Sequence, residues 1–260
     1  FLKKTIDLDE IICNKLLSIF NTFNIDATWA VVAGMLDPNN PMINIFDKKA
    51  WYNPNIVETI IESENNHEIA SHTYAHPNFN LHDHKYINND FILANKFFDK
   101  FGIKINSFVF PRNQIRYLDL LSKHKIQVFR SIDKSWYRNI FYYSNFFGKI
   151  SNIIDKTLPI KTNTVTPKMI NNNLFEMESS LLFISRYGYK NIISDRSILS
   201  KAKYGIDKAI QNKECFHLWF HPSNFYYNSE KQFNLLNKIL SYVDLNRKSG
   251  FLSVNTLDKY

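Results

Sequence analysis

Amphipathic helical patterns and short apolar strand patterns alternate along most of this 260-residue chain. The first pair is a helical repeat of apolar residues at about 8–23, followed by an apolar run at 27–33 that stops at Gly34. Further strands are predicted at 68–71, 107–110, 126–131, 180–184, 215–220 and 251–254, with helices near 54–61, 87–101, 117–124, 136–157, 195–212 and 229–246. Strands that are regularly separated by helices form parallel sheets with right-handed crossovers.

About seven predicted strands, with no sign of a second domain, favour one α/β domain over residues 1–260, built as a parallel (β/α) barrel. An open, doubly wound sheet is the structural alternative. The chain has only six glycines and contains no Gly-rich loop for a dinucleotide or a nucleoside triphosphate. The sequence therefore contains no motif that predicts nucleotide binding.

Charge and hydropathy restrict the partners. The net charge of +8 would suit an anionic partner, but the lysines are scattered and form no basic stripe, so nucleic-acid binding is not predicted. No run of about 18 apolar residues predicts a membrane span. Cys13 and Cys215 make no disulfide framework, and no signal-peptide pattern follows Phe1, which favours a cytoplasmic protein. The sequence leaves the oligomeric state open.

Two histidines stand four residues apart directly after the predicted strand 68–71, in the stretch Ser71-His72-Thr73-Tyr74-Ala75-His76-Pro77. On a helical turn, this spacing would place both rings on one side. Neutral imidazole is a common ligand of zinc and related divalent metals, so His72 and His76 are candidate metal ligands. A pair of solvated loop histidines is the alternative, because a catalytic zinc normally has three protein ligands.

Other polar and aromatic side chains follow the later strands. Arg112 and Asn113 come after the strand 107–110, and Trp136 comes after the strand 126–131. The strand 215–220, which contains Trp219, leads into His221-Pro222-Ser223-Asn224. Because active sites of parallel barrels lie at the carboxyl ends of the strands, these residues are expected on one rim.

Five stretches of the chain resemble a known family. His-Thr-x-x-His-Pro at 72–77 resembles the metal-binding motif of the polysaccharide deacetylases, or carbohydrate esterase family 4. The run 27–32 looks like the second barrel strand of that family. The stretches 107–114, 129–136 and 216–225 resemble a bacterial branch of it. The resemblance extends over nearly the whole chain.

This resemblance implies a distorted (β/α)7-type barrel that binds a divalent metal, with zinc preferred, and removes an N-acetyl or O-acetyl group from a carbohydrate. His72 and His76 match the two metal-binding histidines, and His221 matches the general acid. Arg112 lies near the family's base-orienting arginine, although here it follows the proline instead of preceding it. Trp136 matches an aromatic of the pocket wall.

Three further residues at the strand ends, Asn113, Trp219 and Asn224, are predicted to contact the substrate. Trp219 is ambiguous, because alternate residues of a strand face opposite sides. An acetylated carbohydrate is therefore the expected partner.

The family's acidic pair, a metal ligand and a general base, has no clear copy in this chain. Asp7 and Asp9 are the only candidates, and their place at the start of the first predicted helix favours a helix cap instead. Because the chain begins at Phe1 and not at Met, it is expected to be a processed or truncated piece whose first strand is missing or incomplete. The alternative function is a catalytically inactive barrel that binds carbohydrate or acts as a scaffold.

Overall fold

In the computed structural model, which describes residues 2–44, 51–132, 162–171 and 173–260, helices and strands alternate as the sequence predicts. The helices are α1 (Leu2–Phe23), α2 (Pro54–Ile61), α3 (His84–Lys100), α4 (Leu118–Lys123), α5 (Asp195–Asn212) and α6 (Ser229–Lys248). The strands are β1 (Thr28–Val31), β2 (Glu68–Ser71), β3 (Ser107–Val109), β4 (Val128–Ser131), β5 (Lys168–Asn171), β6 (Leu174–Glu178), β7 (Leu181–Leu182) and β8 (Leu218–Trp219). Trp136 and the predicted helix 136–157 lie outside the described residues.

The larger sheet contains six strands in the order β1-β2-β3-β4-β6-β5. The strands β1 to β4 pair in parallel, with Val31 opposite Ser71 and Val109 opposite Arg130. Their carboxyl ends therefore lie at one edge of the sheet, where open α/β sheets place their ligands. The predicted α/β class with a mostly parallel sheet is confirmed.

The chain divides into two compact units. The first comprises residues 1–131, 167–177 and 254–260 and contains nearly all of the six-stranded sheet. The second comprises residues 132–166 and 178–253 and contains the parallel pair β7-β8 together with α5 and α6. The expectation of one domain over 1–260 stays a prediction. Within the described ranges, no helix is long and apolar enough to cross a membrane.

An aromatic core supports the carboxyl ends of β3 and β4 in the first unit. Phe108 stacks on Phe91 of α3 at a centroid distance of 5.0 Å, and Phe110 meets Phe108 and Phe129 edge to face at 4.8 and 5.6 Å. These side chains are fully buried, as is Phe79. Burying each phenylalanine contributes about 1.5–3 kcal/mol, so the backbone that ends β3 is held firmly.

Helix α1 begins at Leu2, well before the predicted start. The expectation that Asp7 and Asp9 cap this helix is therefore wrong, because both residues lie inside it. An aspartate costs only a few tenths of a kcal/mol more than alanine in a helix interior, so the longer helix tolerates both. The interior position also gives no support for a strand ending in two acidic residues at this point.

The predicted closing strand at 251–254 is wrong, because these residues, all within the described part of the chain, form no strand. Phe251 is exposed there, so this apolar side chain does not occupy a buried position in a sheet. Conversely, the antiparallel hairpin of β5 and β6 lies between the predicted helix 136–157 and the predicted strand 180–184, where the sequence pattern predicts no strand. The pairing of Phe175 N–H with the carbonyl of Gln127, at 2.7 Å, is a tertiary contact that local pattern does not reveal.

The half-buried carboxylate of Glu68 joins three strands and the C-terminal segment at the amino edge of the sheet. Glu68 Oε2 accepts hydrogen bonds from Thr28 Oγ1 at 2.6 Å and from Asp258 N at 3.1 Å, and Glu68 Oε1 accepts one from Ser107 Oγ. Thr28 Oγ1 accepts in turn from Leu257 N at 2.8 Å. Burial raises the pKa of Glu68, although its hydrogen bonds oppose the shift.

This raised pKa predicts a pH-dependent contribution to stability. A carboxyl group whose pKa is higher in the folded state stabilises the protein below the unfolded pKa of about 4.3, and that contribution is lost as pH rises through the folded pKa. The free energy of unfolding of the unmodified protein should therefore fall relative to that of Glu68→Gln as pH rises from about 4 to 7. Urea denaturation measures this difference, and a difference that stays constant across the range would contradict the prediction.

Candidate active site

The two candidate metal ligands lie next to each other directly after β2. The ring centroids of His72 and His76 are 4.8 Å apart, with the ring planes at 69°. A turn, not a helix, brings them together, because Thr73 and His76 have φ angles of 69° and 52°. The Thr73 hydroxyl accepts a hydrogen bond from His76 N at 3.0 Å and so closes the turn. The pairing is as the sequence predicts, although the local structure differs.

A hydrogen bond to the neighbouring strand sets the tautomer of His72. Its Nδ1 lies 2.6 Å from the carbonyl oxygen of Val109, the last residue of β3. Because a carbonyl oxygen only accepts, Nδ1 carries a proton, and in the neutral ring Nε2 is then the nitrogen with the lone pair that a metal ligand needs. The backbone N–H of His72 also donates to the carbonyl of Val31 at 2.8 Å, which continues the sheet pairing past β2.

The surroundings of His76 favour its neutral form, which is the form that binds metals. Burial lowers the pKa of His76, and the positive charge of Arg112 lowers it further. Arg112 is exposed and has a φ angle of 54°, in the turn that follows Pro111. The predicted catalytic arginine is therefore near enough to influence His76, and its catalytic role stays a prediction.

The turn between the histidines is held by two carboxylates that the sequence reasoning missed. Asp90 of α3 accepts hydrogen bonds from Tyr74 N at 2.7 Å and from Ala75 N at 3.0 Å. Asp37 accepts one from the Tyr74 hydroxyl at 2.7 Å. Burial raises the pKa of Asp90, which is 5% exposed. A signal was present in the sequence, because position 90 falls on the apolar stripe of its helix, beside Ile87 and Ala94.

The same turn packs closely on the segment after β1. Ala33 N donates to the carbonyl of Thr73 at 2.8 Å, and Gly34 N donates to that of Tyr74 at 3.0 Å. A Cβ at position 34 would stand 2.6 Å from the Tyr74 carbonyl oxygen and 2.8 Å from Asn40 Nδ2. Only glycine permits this approach, which explains the glycine that ends the first predicted strand.

A second polar pair joins the ends of β3 and β4. The guanidinium of Arg130 donates from Nη2 to Asn113 Oδ1. Arg130 is 8% exposed, and burial lowers its pKa to about 10. Arg130 lies in the stretch 129–136, which resembles the deacetylase family, but the sequence pattern assigns it no role. Asn113, predicted to contact substrate, therefore has its side-chain oxygen oriented by a buried cation.

Three further candidate residues lie together at the end of β8, in the second unit: Trp219, His221 and Asn224. The rings of Trp219 and His221 are 5.5 Å apart, and His221 N donates to Asn224 Oδ1 at 2.7 Å. Asn224 thereby caps the short 3-10 turn Pro222–Phe225 and leaves the exposed His221 at its start. The acid role of His221 and the substrate contacts of Trp219 and Asn224 stay predictions, as does the role of Trp136.

The histidine pair fits two positions of a metal coordination shell. The two rings are adjacent, and the Val109 carbonyl orients that of His72, as outer-shell partners of metal-binding histidines do. In the part of the chain that the structure describes, no group of three or more His, Cys, Asp or Glu side chains is placed to hold a metal ion. A third, acidic ligand is therefore not assigned to a residue.

The parallel α/β fold and the histidine pair at the carboxyl end of β2 are features that the resemblance to the polysaccharide deacetylases predicts. Residues 7–129 match the family model described as Polysaccharide deacetylase. Over these residues the chain is similar to that family, a family of hydrolases that act on carbon–nitrogen bonds other than peptide bonds. The resemblance read from the sequence is thus confirmed.

Solved structures share the fold at low sequence identity. One described as a polysaccharide deacetylase from Mycobacterium smegmatis aligns with a TM-score of 0.59 at 13% identity, covering 96% of this chain and 81% of that one. A family 4 carbohydrate esterase from Streptomyces lividans in complex with acetate aligns at 0.50 and 10%, covering 94% and 85%. Puue allantoinase aligns at 0.58 and 11%, covering 89% and 65%. A search of curated proteins finds no match.

Removal of the Asp90 carboxylate should loosen the turn that carries the histidines. Asp90→Ala leaves the buried N–H of Tyr74 and the part-buried N–H of Ala75 without their acceptor, and a buried donor without a partner costs about 1–3 kcal/mol. We expect lower stability and a zinc affinity reduced about 10- to 100-fold. Urea unfolding and competition with a chromophoric chelator measure the two effects.

Asp99→Ala is the matched control, because Asp99 is an exposed carboxylate on the same helix. It should change neither quantity appreciably. Equal behaviour of the two variants in both measurements would show that Asp90 does not organise the turn.

Proposed function

We propose that this protein is a metal-dependent hydrolase that removes N-acetyl or O-acetyl groups from a carbohydrate. The main support is the histidine pair, whose ring centroids are 4.8 Å apart and in which His72 Nδ1 lies 2.6 Å from the Val109 carbonyl, so that a metal would bind at Nε2. The match of residues 7–129 to the deacetylase family model supports the reaction class. The resemblance of the surrounding motifs supports the acetylated sugar as substrate.

His72 and His76 would supply two of the metal's ligands, and an acidic side chain outside the assigned residues would supply the third. A bound divalent ion, with zinc preferred, would activate a water molecule and polarise the acetyl carbonyl. Arg112 supports this arrangement because its charge adds to burial in lowering the pKa of His76. Asn113 would contact the substrate from a position set by Arg130.

His221 would complete the reaction as the general acid. Water would add to the acetyl carbonyl carbon while a second acidic side chain, also outside the assigned residues, takes up its proton. The bond from that carbon to the sugar nitrogen or oxygen would then break, and protonated His221 would give its proton to the departing atom. The products are acetate and the free amine or hydroxyl of the sugar. Trp136, Trp219 and Asn224 would bind the sugar around the scissile bond.

Substitution of either histidine should abolish metal binding and activity together. For His72→Ala and His76→Ala, we expect loss of the bound zinc-class ion and a decrease in acetate release of at least about 100-fold, because outer-shell changes alone cost 10- to 100-fold. Metal content and acetate release, the latter over a panel of acetylated glycans and sugar precursors, are measured on the full-length protein with and without a chelator.

His84→Ala serves as the control, because His84 is exposed and pairs with Asp119 Oδ2 at 2.7 Å, away from the histidine turn. It should keep both metal and activity. Unchanged metal content in both His72→Ala and His76→Ala would refute the proposed site. Glycan binding with no acetate release from any substrate would favour the inactive carbohydrate-binding alternative.

A further inference from the structure

Two exposed tyrosines of the second unit meet at the carboxyl ends of β7 and β8. Tyr187 lies in the loop after β7 and is 64% exposed, and Tyr227 lies after β8 and is 42% exposed. Their ring centroids are 4.8 Å apart, and the ring planes are tilted by 45°. Most large aromatic side chains are buried, so two solvent-facing rings in contact require an explanation.

A buried glutamine holds the two loops together. Gln232 of α6 is 0% exposed, and its Nε2 donates to the carbonyls of Ile184, at 2.8 Å, and Asn224, at 3.1 Å. Its Oε1 accepts from Arg186 Nε at 3.1 Å. One side chain therefore ties the loop that carries Tyr187 to the turn that connects His221 with Tyr227.

Arg186 makes further hydrogen bonds that stabilise the loop after β7. Its buried guanidinium also donates to the carbonyl of Ile193 and to the carboxylate of Asp195. At the surface, Asn228 Nδ2 donates to Asn191 Oδ1 at 2.9 Å and joins the two loops a second time. The rings are thus presented by a rigid base, and such preorganisation reduces the entropy that a ligand would otherwise cost on binding.

We propose that Tyr187 and Tyr227 form a platform that binds a pyranose ring of the acetylated carbohydrate. The identity of this ligand rests on the proposed function. The C–H face of a pyranose packs on an aromatic ring, while its hydroxyls require polar partners, and the amides of Asn191 and Asn228 supply these beside the rings. The position supports substrate binding, because Tyr227 follows the candidate acid His221 by six residues on the same rim.

The platform predicts that affinity increases with glycan length and depends on both tyrosines. The probes are N-acetylglucosamine and its β-1,4-linked oligomers up to six units, with acetylated xylo-oligosaccharides as a second series. Titration calorimetry with the full-length protein in the presence of a chelator measures binding without hydrolysis. We expect Tyr187→Ala and Tyr227→Ala each to weaken binding of the longer oligomers about three- to tenfold. Circular dichroism verifies that each variant folds.

Tyr204→Ala is the matched control, because Tyr204 is an exposed tyrosine on α5 outside the platform. It should bind the oligomers as the unmodified protein does. Equal affinity of all three variants, or no binding of any oligomer by the unmodified protein, would overturn the platform. Acetate release is assayed separately. Release without oligomer binding would overturn the platform alone, whereas tyrosine-dependent binding without release would overturn the proposed activity alone.

Discussion

The hydrogen bond from His72 Nδ1 to the Val109 carbonyl links the candidate chemistry to the sheet. It exists because β2 and β3 are parallel neighbours that end at the same edge, so the residue after one strand reaches the last carbonyl of the other. The aromatic core behind β3 holds that carbonyl in place. A local choice of imidazole tautomer thus depends on sheet order and on core packing.

In each unit, a buried polar side chain holds the loops that carry the candidate site residues. In the first, Asp90 accepts two backbone N–H groups of the histidine turn, and in the second, Gln232 binds the loops after β7 and β8. A buried polar group is costly unless its hydrogen bonds are made, so these side chains favour one loop conformation over others. This arrangement suits turns that contain residues with positive φ angles, such as Thr73 and His76.

Periodicity predicted the regular elements well where burial is strong. The strand at 68–71 and the helix at 195–212 have the predicted bounds, because apolar positions there face a core. Prediction failed where tertiary contacts decide the structure. The β5–β6 hairpin depends on pairing beside β4, and Phe251 is apolar without being buried. Asp9 is a residue type that often caps helices, but here it lies inside a helix that begins at Leu2.

The sequence by itself determined the α/β class, the similarity of residues 7–129 to the deacetylase family and the pairing of His72 with His76, because hydrophobic periodicity and motif spacing are local properties of the chain. Only the tertiary structure decided which nitrogen of His72 carries the proton, that Asp90 holds the turn, and that Tyr187 and Tyr227 meet at the surface. These contacts join residues that are 16 to 40 positions apart in the chain. Their geometry depends on strand order and helix packing, which no local pattern specifies.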